Sequence, residues 1–251
     1  MKLYHGTTAE IAKLAIEEGL IPRDDLGKNS NWDECPSRGD MVYLTRVYAP
    51  YFAMCAMNKE DEDKRWGLVE IDTDLLTKGF SEGGLEDYLY PDEDFLEQVT
   101  REHGPCPEGL NMAERTAWFR ENLLGFQHVW EDSIKGLGNC ACLGGVPADC
   151  ITKVVVFEPE SNPTMAMMSS DPMMSSDPMI SLMNYQTIGG TKYRALTDWF
   201  FGYDVDPLAF DPSYALLKNR IMPKQLLKTL QQQLDGLVEA MSQREGIEVI
   251  Q

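Results

Sequence analysis

The sequence contains no long apolar run. No continuous hydrophobic stretch in its 251 residues approaches the roughly 20 residues that a membrane helix needs. Glu10, Glu17 and Glu18 interrupt the N-terminal segment, which therefore lacks the apolar core of a signal peptide. We expect neither export nor membrane anchoring, and we expect a cytoplasmic protein.

Positive charge is scarce. Lys and Arg total 22 against 41 Asp and Glu, so the formal net charge is −19. Such a surface repels nucleic-acid phosphates unless the few cations are concentrated in one cleft. Duplex DNA is therefore not the expected partner, and a basic protein or a small basic or neutral molecule is the better expectation.

Cysteine is also sparse. Six cysteines in a chain of this length are too few for a disulfide scaffold, which agrees with a reducing compartment. Cys140, Cys142 and Cys150, together with His103 and Cys106, include the residue types of a zinc site. Their spacing matches no standard ligand pair, and we expect no metal.

The apolar pattern predicts an α+β protein. Hydrophobic residues make up 43% of the chain, which is enough for a real core. Strands are predicted at 2–5, 41–45, 66–71 and 151–157, and helices at 7–18, 50–56 and 112–124.

Low-complexity sequence divides the chain. Met-Met-Ser-Ser-Asp-Pro occurs twice in succession, at 167–172 and 173–178, and predicts a flexible linker. We therefore expect a main domain over 1–160, a linker over 161–179 and a C-terminal extension over 180–251. An amphipathic helix predicted at 223–245 either packs on the main domain or binds a partner or a second copy.

Two short segments contain residues that could bind a ligand or take part in catalysis. His5 and Gly6 end the first predicted strand, where an imidazole and bare backbone groups would face a ligand; Thr7 and Glu10 would then form a capping box. The alternative is a buried histidine before an ordinary turn. The acidic segment 91–94 is either a solvated loop that enters a helix at its acids or a lid over a substrate.

These segments occur in a recognisable order. His-Gly-Thr in 2–8, Glu-Gly-Leu-Ile-Pro in 18–22, Val-Tyr-Leu-Thr in 41–45 and Pro-Tyr-Phe-Ala in 50–53 together resemble the ADP-ribosyltransferase superfamily. The resemblance is to the branch of diphtheria toxin and the poly(ADP-ribose) polymerases. Gly-Gly-Val-Pro in 144–147 is similar to a Gly-x-Ile-Pro segment of bacterial members and of RNA 2′-phosphotransferases. The resemblance covers about residues 1–158.

The resemblance implies a split, mixed β-sheet whose cleft binds NAD as a substrate. His5 would bond the adenosine-side ribose, the Gly6 backbone would hold the carboxamide, and Tyr43 would stack on the nicotinamide ring. Tyr51 or Phe52 would close the other side of the ring. The cofactor-binding residues implied in this way are His5, Gly6, Thr7, Tyr43, Tyr51 and Phe52.

One family feature is absent. Where the transferases commonly have a glutamate on a late strand, this sequence reads Asn139-Cys140-Ala141-Cys142. A carboxylate there stabilises the positive charge that develops on the ribose. We expect Asp92, Glu93 or Asp94 to supply it instead, with Asn139 orienting a ribose hydroxyl.

The leading prediction is an enzyme that transfers ADP-ribose from NAD to a macromolecular acceptor, preferably a protein, and releases nicotinamide. An RNA 2′-phosphotransferase is the alternative enzyme. It should gather several arginines around two phosphates, whereas only Arg23, Arg38 and Arg46 lie near the predicted cleft, and Tyr4 stands where that family tends to have arginine. The third alternative is a non-catalytic module that binds NAD or ADP-ribose.

Overall fold

A seven-stranded sheet forms the centre of the computed structural model, which describes residues 1–28, 37–56, 63–79, 88–96, 106–158, 190–205, 232 and 246–250. The strand order is β4-β5-β2-β1-β3-β6-β7. The strands are β1 (Lys2–Thr8), β2 (Met41–Thr45), β3 (Trp66–Asp72), β4 (Leu89–Pro91), β5 (Asn139–Leu143), β6 (Ile151–Phe157) and β7 (Ile247–Ile250).

Helices cover both faces of this sheet, which confirms the predicted α+β class. The α-helices are α1 (Ala9–Glu18), α2 (Arg23–Leu26), α3 (Ala49–Ala56), α4 (Thr73–Gly79), α5 (Met112–Asn122), α6 (Trp130–Gly136) and α7 (Gly190–Phe200). Two 3-10 helices lie at Leu123–Val129 and Ala148–Cys150. Among the described helices, none is both long enough and apolar enough to cross a bilayer.

All strand pairings in the described residues are antiparallel, whereas the resemblance implied a mixed sheet. The ladder between β1 and β2 is unusual because it contains a single residue pair, Tyr4 with Thr45. By contrast, every residue of β1 has a partner in β3. The sheet therefore divides into a β4-β5-β2 half and a β1-β3-β6-β7 half.

The core reflects this division. On one face, a single cluster runs across both halves and packs on α1 through Ala9, Ala12 and Ala15. The opposite face carries two clusters. The first, on the β1 side, includes Tyr4 together with α3 and α7; the second, on the β2 side, includes Met41, α5 and the 3-10 helix Leu123–Val129. The boundary between these two clusters coincides with the opening between β1 and β2.

The start of α1 differs from the prediction. Thr7 does not cap this helix, because β1 stays paired with β3 as far as Thr8 and Trp66. Thr8 is the cap instead, and its hydroxyl accepts a hydrogen bond from the N–H of Ile11 at 3.4 Å. Long-range strand pairing has thus moved the N-cap by one residue, from Thr7 to Thr8.

The acidic segment is not a solvated loop, and that part of the prediction was wrong, although a helical turn does begin at Glu93 as predicted. Residues 89–91 form β4, which pairs with β5, and a helical turn follows at 93–96. Asp92 is only 8% exposed and Glu93 only 5%. Phe95 and Leu96 anchor the turn in the cluster on the β2 side.

Two parts of the predicted C-terminal extension belong to the sheet core. Tyr193, Trp199 and Phe200 of α7 are buried in the cluster on the β1 side, and β7 pairs with β6. The predicted linker at 161–179 and the predicted helix at 223–245 lie outside the described residues, as do His103 and its neighbours. The remainder of the domain division stays a prediction.

Candidate functional site

The candidate site is the opening between β1 and β2. Continuing the antiparallel register from the pair of Tyr4 and Thr45 would place Gly6 opposite Tyr43. At that position the carbonyl oxygen of Tyr43 accepts a hydrogen bond from Nδ1 of His5 at 2.8 Å. The imidazole thus bonds to β2 where the strand ladder has stopped.

The direction of the backbone groups at the opening follows from neighbouring hydrogen bonds. The N–H of Gly144 donates to the carbonyl of Asp40 at 3.1 Å, and the N–H of Arg46 donates to the carbonyl of Gly138 at 2.7 Å. The backbone N–H and C=O groups of even-numbered residues in β2 therefore point towards β5. Those of odd-numbered residues point towards β1.

The same alternation applies to β1. Since Thr45 faces β1 and pairs with Tyr4, the backbone N–H and C=O of Tyr4 face β2, and so do those of Gly6 two residues later. The opening therefore presents one donor and one acceptor from a single residue. This pair is complementary to the C=O and N–H of a planar carboxamide.

His5 provides an acceptor beside this pair. A carbonyl only accepts, so the hydrogen lies on Nδ1 and the neutral ring keeps Nε2 as an acceptor. Burial lowers the pKa of His5, which favours the neutral ring at neutral pH. Within the described part of the chain Nε2 has no hydrogen-bond partner, and it is suited to a ligand hydroxyl.

Gly6 is required by close packing. A Cβ atom built on Gly6 would lie 1.9 Å from the carbonyl oxygen of Ala49 and 2.6 Å from the backbone nitrogen of Ala53. The group that approaches Gly6 in this structure is the backbone of α3, and the predicted approach of a ligand ring stays a prediction. Thr7 is buried in β1 at 3% exposure, on the same face of the sheet as His5.

Tyr43 is the centre of a polar network on the β2 side. Its hydroxyl donates to Oε1 of Glu93, and the backbone N–H of Arg38 approaches both that hydroxyl, at 3.0 Å, and Oε1, at 3.3 Å. Burial, followed by the charge of Glu93, raises the pKa of Tyr43 well above its ordinary value. The phenol therefore stays protonated and donates to Glu93.

The guanidinium of Arg38 ties this network to the surrounding elements. It forms two hydrogen bonds to the carboxylate of Asp40, at 2.9 and 2.6 Å, and a third to the carbonyl of Arg120 at 3.1 Å. Sequence reasoning noted Arg38 only as a cation near the cleft. Its backbone contacts depend on the fold, and no residue pattern reveals them.

The three candidate acids have different environments. Asp92 caps the helical turn by accepting from the N–H of Asp94 at 2.8 Å, and Asp94 is exposed. Burial, together with the charges of Asp94 and Glu93, raises the pKa of Asp92 well above its ordinary value. Of the three, Glu93 is the one whose carboxylate bonds to Tyr43.

Asn139 lies on the same face as Tyr43. It pairs with Thr45 across the β2-β5 ladder, while Ala141 pairs with Tyr43. The hydroxyl of Ser133 donates to the carbonyl of Asn139 at 2.8 Å and accepts from the N–H of Asp92 at 2.9 Å. This buried hydroxyl fixes the end of β4 against the start of β5.

The neighbouring thiols do not replace the missing acid. Cys140 and Cys142 are buried on the opposite face of the sheet. Burial raises the pKa of Cys140 well above its ordinary value and that of Cys142 to about 12, so both remain neutral. No group of three or more His, Cys, Asp or Glu side chains in the described residues is arranged to hold a metal ion.

Tyr51 and Phe52 lie on α3 and pack with the cluster on the β1 side, whereas Tyr43 packs with the cluster on the β2 side. The ring of Tyr51 contacts Phe52 at 5.6 Å and Tyr193 of α7 at 6.1 Å between centroids. The two aromatic residues predicted to close the ring site thus pack on the other side of the opening from Tyr43. Their contact with a ligand remains a prediction.

Neither the protein-family models nor the curated proteins include a match to this chain.

Proposed function

We propose that the protein is an ADP-ribosyltransferase that binds NAD in the opening between β1 and β2, releases nicotinamide and transfers ADP-ribose to a macromolecular acceptor. One observation carries the proposal. The β1-β2 ladder stops where Gly6 would face Tyr43, so that an amide-complementary pair of backbone groups and a histidine acceptor border one gap, and the side chain of Tyr43 leaves β2 at the same point.

Each group has a defined task in this proposal. The N–H and C=O of Gly6 bind the carboxamide of nicotinamide, and the ring of Tyr43 packs against the nicotinamide plane. Nε2 of His5 accepts a hydrogen bond from a ribose hydroxyl. Holding both ends of the dinucleotide lowers the entropic cost of reaching the transition state.

The reaction breaks the bond between the ribose and the nicotinamide nitrogen, and its electron pair leaves with neutral nicotinamide. The ribose carbon, which has become positive, is captured by a nucleophile of the acceptor, and that nucleophile loses its proton to solvent. Negative potential near the ribose favours this charge development. The net charge of −19 supports a basic protein as acceptor over duplex DNA.

The RNA 2′-phosphotransferase alternative is less well supported. Such an enzyme needs arginine side chains that are available to bind phosphate. Arg38 is already bonded to Asp40 and to the carbonyl of Arg120, and Arg23 donates to the carbonyl of Ser37 at 2.8 Å. These contacts engage two of the three arginines near the predicted cleft, whereas Arg46 is exposed.

Isothermal titration with NAD and a nicotinamide-release assay test the proposal together. The wild type should bind NAD and release nicotinamide, and His5→Ala and Tyr43→Ala should each lose both. A thermal shift by NAD that survives in both variants would place the ligand elsewhere, since stabilisation follows occupancy of the native site. Binding without release would instead support a non-catalytic module.

The acceptor requires a separate measurement. Mass spectrometry of a cell lysate incubated with the protein and isotopically labelled NAD reports the modified molecule and the linkage together. Labelling of proteins that depends on His5 is the expected result. Labelling confined to nucleic acid would contradict the proposed acceptor class.

A further inference from the structure

Arg38 connects three parts of the molecule that also pack together in the cluster on the β2 side. Its backbone N–H lies between the Tyr43 hydroxyl and Oε1 of Glu93, while its side chain reaches Asp40 and the carbonyl of Arg120 in α5. A single residue thus fixes the segment before β2, the helical turn that carries Glu93, and α5.

The guanidinium is not arranged to bind an external anion. Its Nε and Nη2 atoms donate to the two carboxylate oxygens of Asp40, and its Nη1 atom donates to the carbonyl of Arg120. Its side chain is 20% exposed. Its charge is balanced locally, so the remaining role of the side chain is to hold the backbone of residue 38 in place.

Glu93 has an unusual combination of contacts for a residue that is 5% exposed. Oε1 receives the Tyr43 hydroxyl and the Arg38 N–H, whereas Oε2 has no partner within the described residues. The carboxylate belongs to the network around Tyr43, at the side of the opening where the strand ladder stops. A carboxylate with one oxygen fixed and the other unengaged can accept a bond from a ribose hydroxyl.

We propose that Arg38 is a positioning residue for the nucleotide site: it holds Glu93 against Tyr43, and Glu93, rather than Asp92 or Asp94, is the carboxylate that stabilises the reacting ribose. This inference rests on the proposed function. Glu93 forms no covalent bond, and the electron pair of the broken bond leaves with nicotinamide.

A double-mutant cycle in the nicotinamide-release assay tests the coupling. Glu93→Gln keeps shape and removes charge, so kcat should fall about 100-fold. Arg38→Met should lower kcat about tenfold or more with a smaller change in KM for NAD. If Arg38 acts through Glu93, adding Arg38→Met to Glu93→Gln should lower kcat less than about threefold further.

Arg194→Met is the matched control, because Arg194 also pairs with an aspartate, Asp198 at 2.9 Å, but on α7. It should leave kcat unchanged. Arg38→Lys, which keeps the charge and loses the fork, should fall between wild type and Arg38→Met. The proposal would be overturned if Glu93→Gln kept the wild-type rate. It would also be overturned if kcat of the double variant fell by the product of the decreases seen in the two single variants.

A second readout does not depend on turnover. In protein labelled with ¹³Cζ-tyrosine, the Tyr43 signal is identified by its loss in Tyr43→Phe and followed between about pH 8 and pH 11, around the ordinary tyrosine pKa. Glu93→Gln and Arg38→Met should both make Tyr43 ionise at lower pH, and Arg194→Met should not.

The two experiments separate the possible failures. If the wild type releases no nicotinamide, the proposed function fails, and the tyrosine titration still decides whether Arg38 holds Glu93 against Tyr43. If Arg38→Met folds, as judged by its melting curve, and leaves the Tyr43 titration unchanged, the positioning role is wrong whatever the enzymatic result.

Discussion

Gly6 meets two requirements at the residue scale. Its backbone groups face the opening, and its lack of a side chain lets α3 contact β1 directly. A larger residue would push on backbone atoms of Ala49 and Ala53, which cannot move aside as a flexible side chain would. The same glycine therefore serves packing and the proposed carboxamide site.

Gly6→Ala should consequently destabilise the protein by about 1–3 kcal/mol, the usual cost of an overpacked core. Urea unfolding checks this. Gly125→Ala is the control, since a Cβ there meets nothing within 4 Å, and its effect should stay within about 0.5 kcal/mol. Equal unfolding midpoints for the two variants would show that α3 shifts to accommodate the added methyl group without a loss of stability.

His5 should make stability depend on pH. Burial lowers the pKa of His5 below its ordinary value of about 6.5, so the unfolded chain binds the proton more tightly than the folded protein does. The stability that neutral His5 contributes is fully present above the pKa of the unfolded state. It is lost as the pH falls from that value through the lower pKa of the folded state. In urea unfolding between about pH 7 and pH 5, His5→Gln should lose less stability than the wild type. Equal losses would contradict this account.

At the scale of elements, the parts that the sequence predicted well are those fixed by local pattern. The strands at 41–45 and 151–157 needed only apolar runs and turn residues, whereas β1 continues past the predicted turn at His5 and Gly6 to Thr8. The positions of Asp92 and Glu93 were missed because the pairing of β4 with β5 buries them, and that contact joins distant segments. The role of Arg38 was missed for the same reason.

The segment after α7 is held to the sheet by a buried carboxylate. Glu70 of β3 accepts hydrogen bonds from Lys2 at 2.9 Å, Tyr203 at 2.6 Å and Thr152 at 2.8 Å. Burial alone would raise the pKa of Glu70, but these hydrogen bonds outweigh it and hold the pKa below its ordinary value. Lys153 adds a further link, since its ammonium donates to the carbonyl of Phe201 at 2.9 Å.

Tyr203→Phe should therefore cost about 1–3 kcal/mol, because it removes one donor from a buried charge. Urea unfolding of Tyr203→Phe, Glu70→Gln and the double variant measures the coupling between the two side chains. The cost of losing the hydroxyl should shrink in the Glu70→Gln background. An unchanged cost would mean that the hydroxyl stabilises the segment independently of Glu70.

At the scale of the whole molecule, charge and topology act together on the proposed site. The opening lies between two halves of one sheet, each with its own cluster on the face that carries Tyr43. A ligand bound there contacts both halves, so occupancy should stabilise the protein as a whole. The excess of acidic groups opposes that binding for any anionic ligand, including a dinucleotide, at low ionic strength.

Self-repulsion should also be measurable in the protein without ligand. With 41 acidic and 22 basic side chains, the net charge of −19 makes the folded chain repel itself even though ion pairs such as that of Arg65 with Asp63 form, so salt should stabilise the folded state. The melting temperature at pH 7.5 should rise by a few degrees between about 0.02 and 0.5 M sodium chloride, over which the Debye length falls several-fold. The rise should shrink at a pH closer to the sequence pI of about 4.5, where the net charge approaches zero. A melting temperature that falls with salt at pH 7.5 would show that surface ion pairs outweigh the net charge.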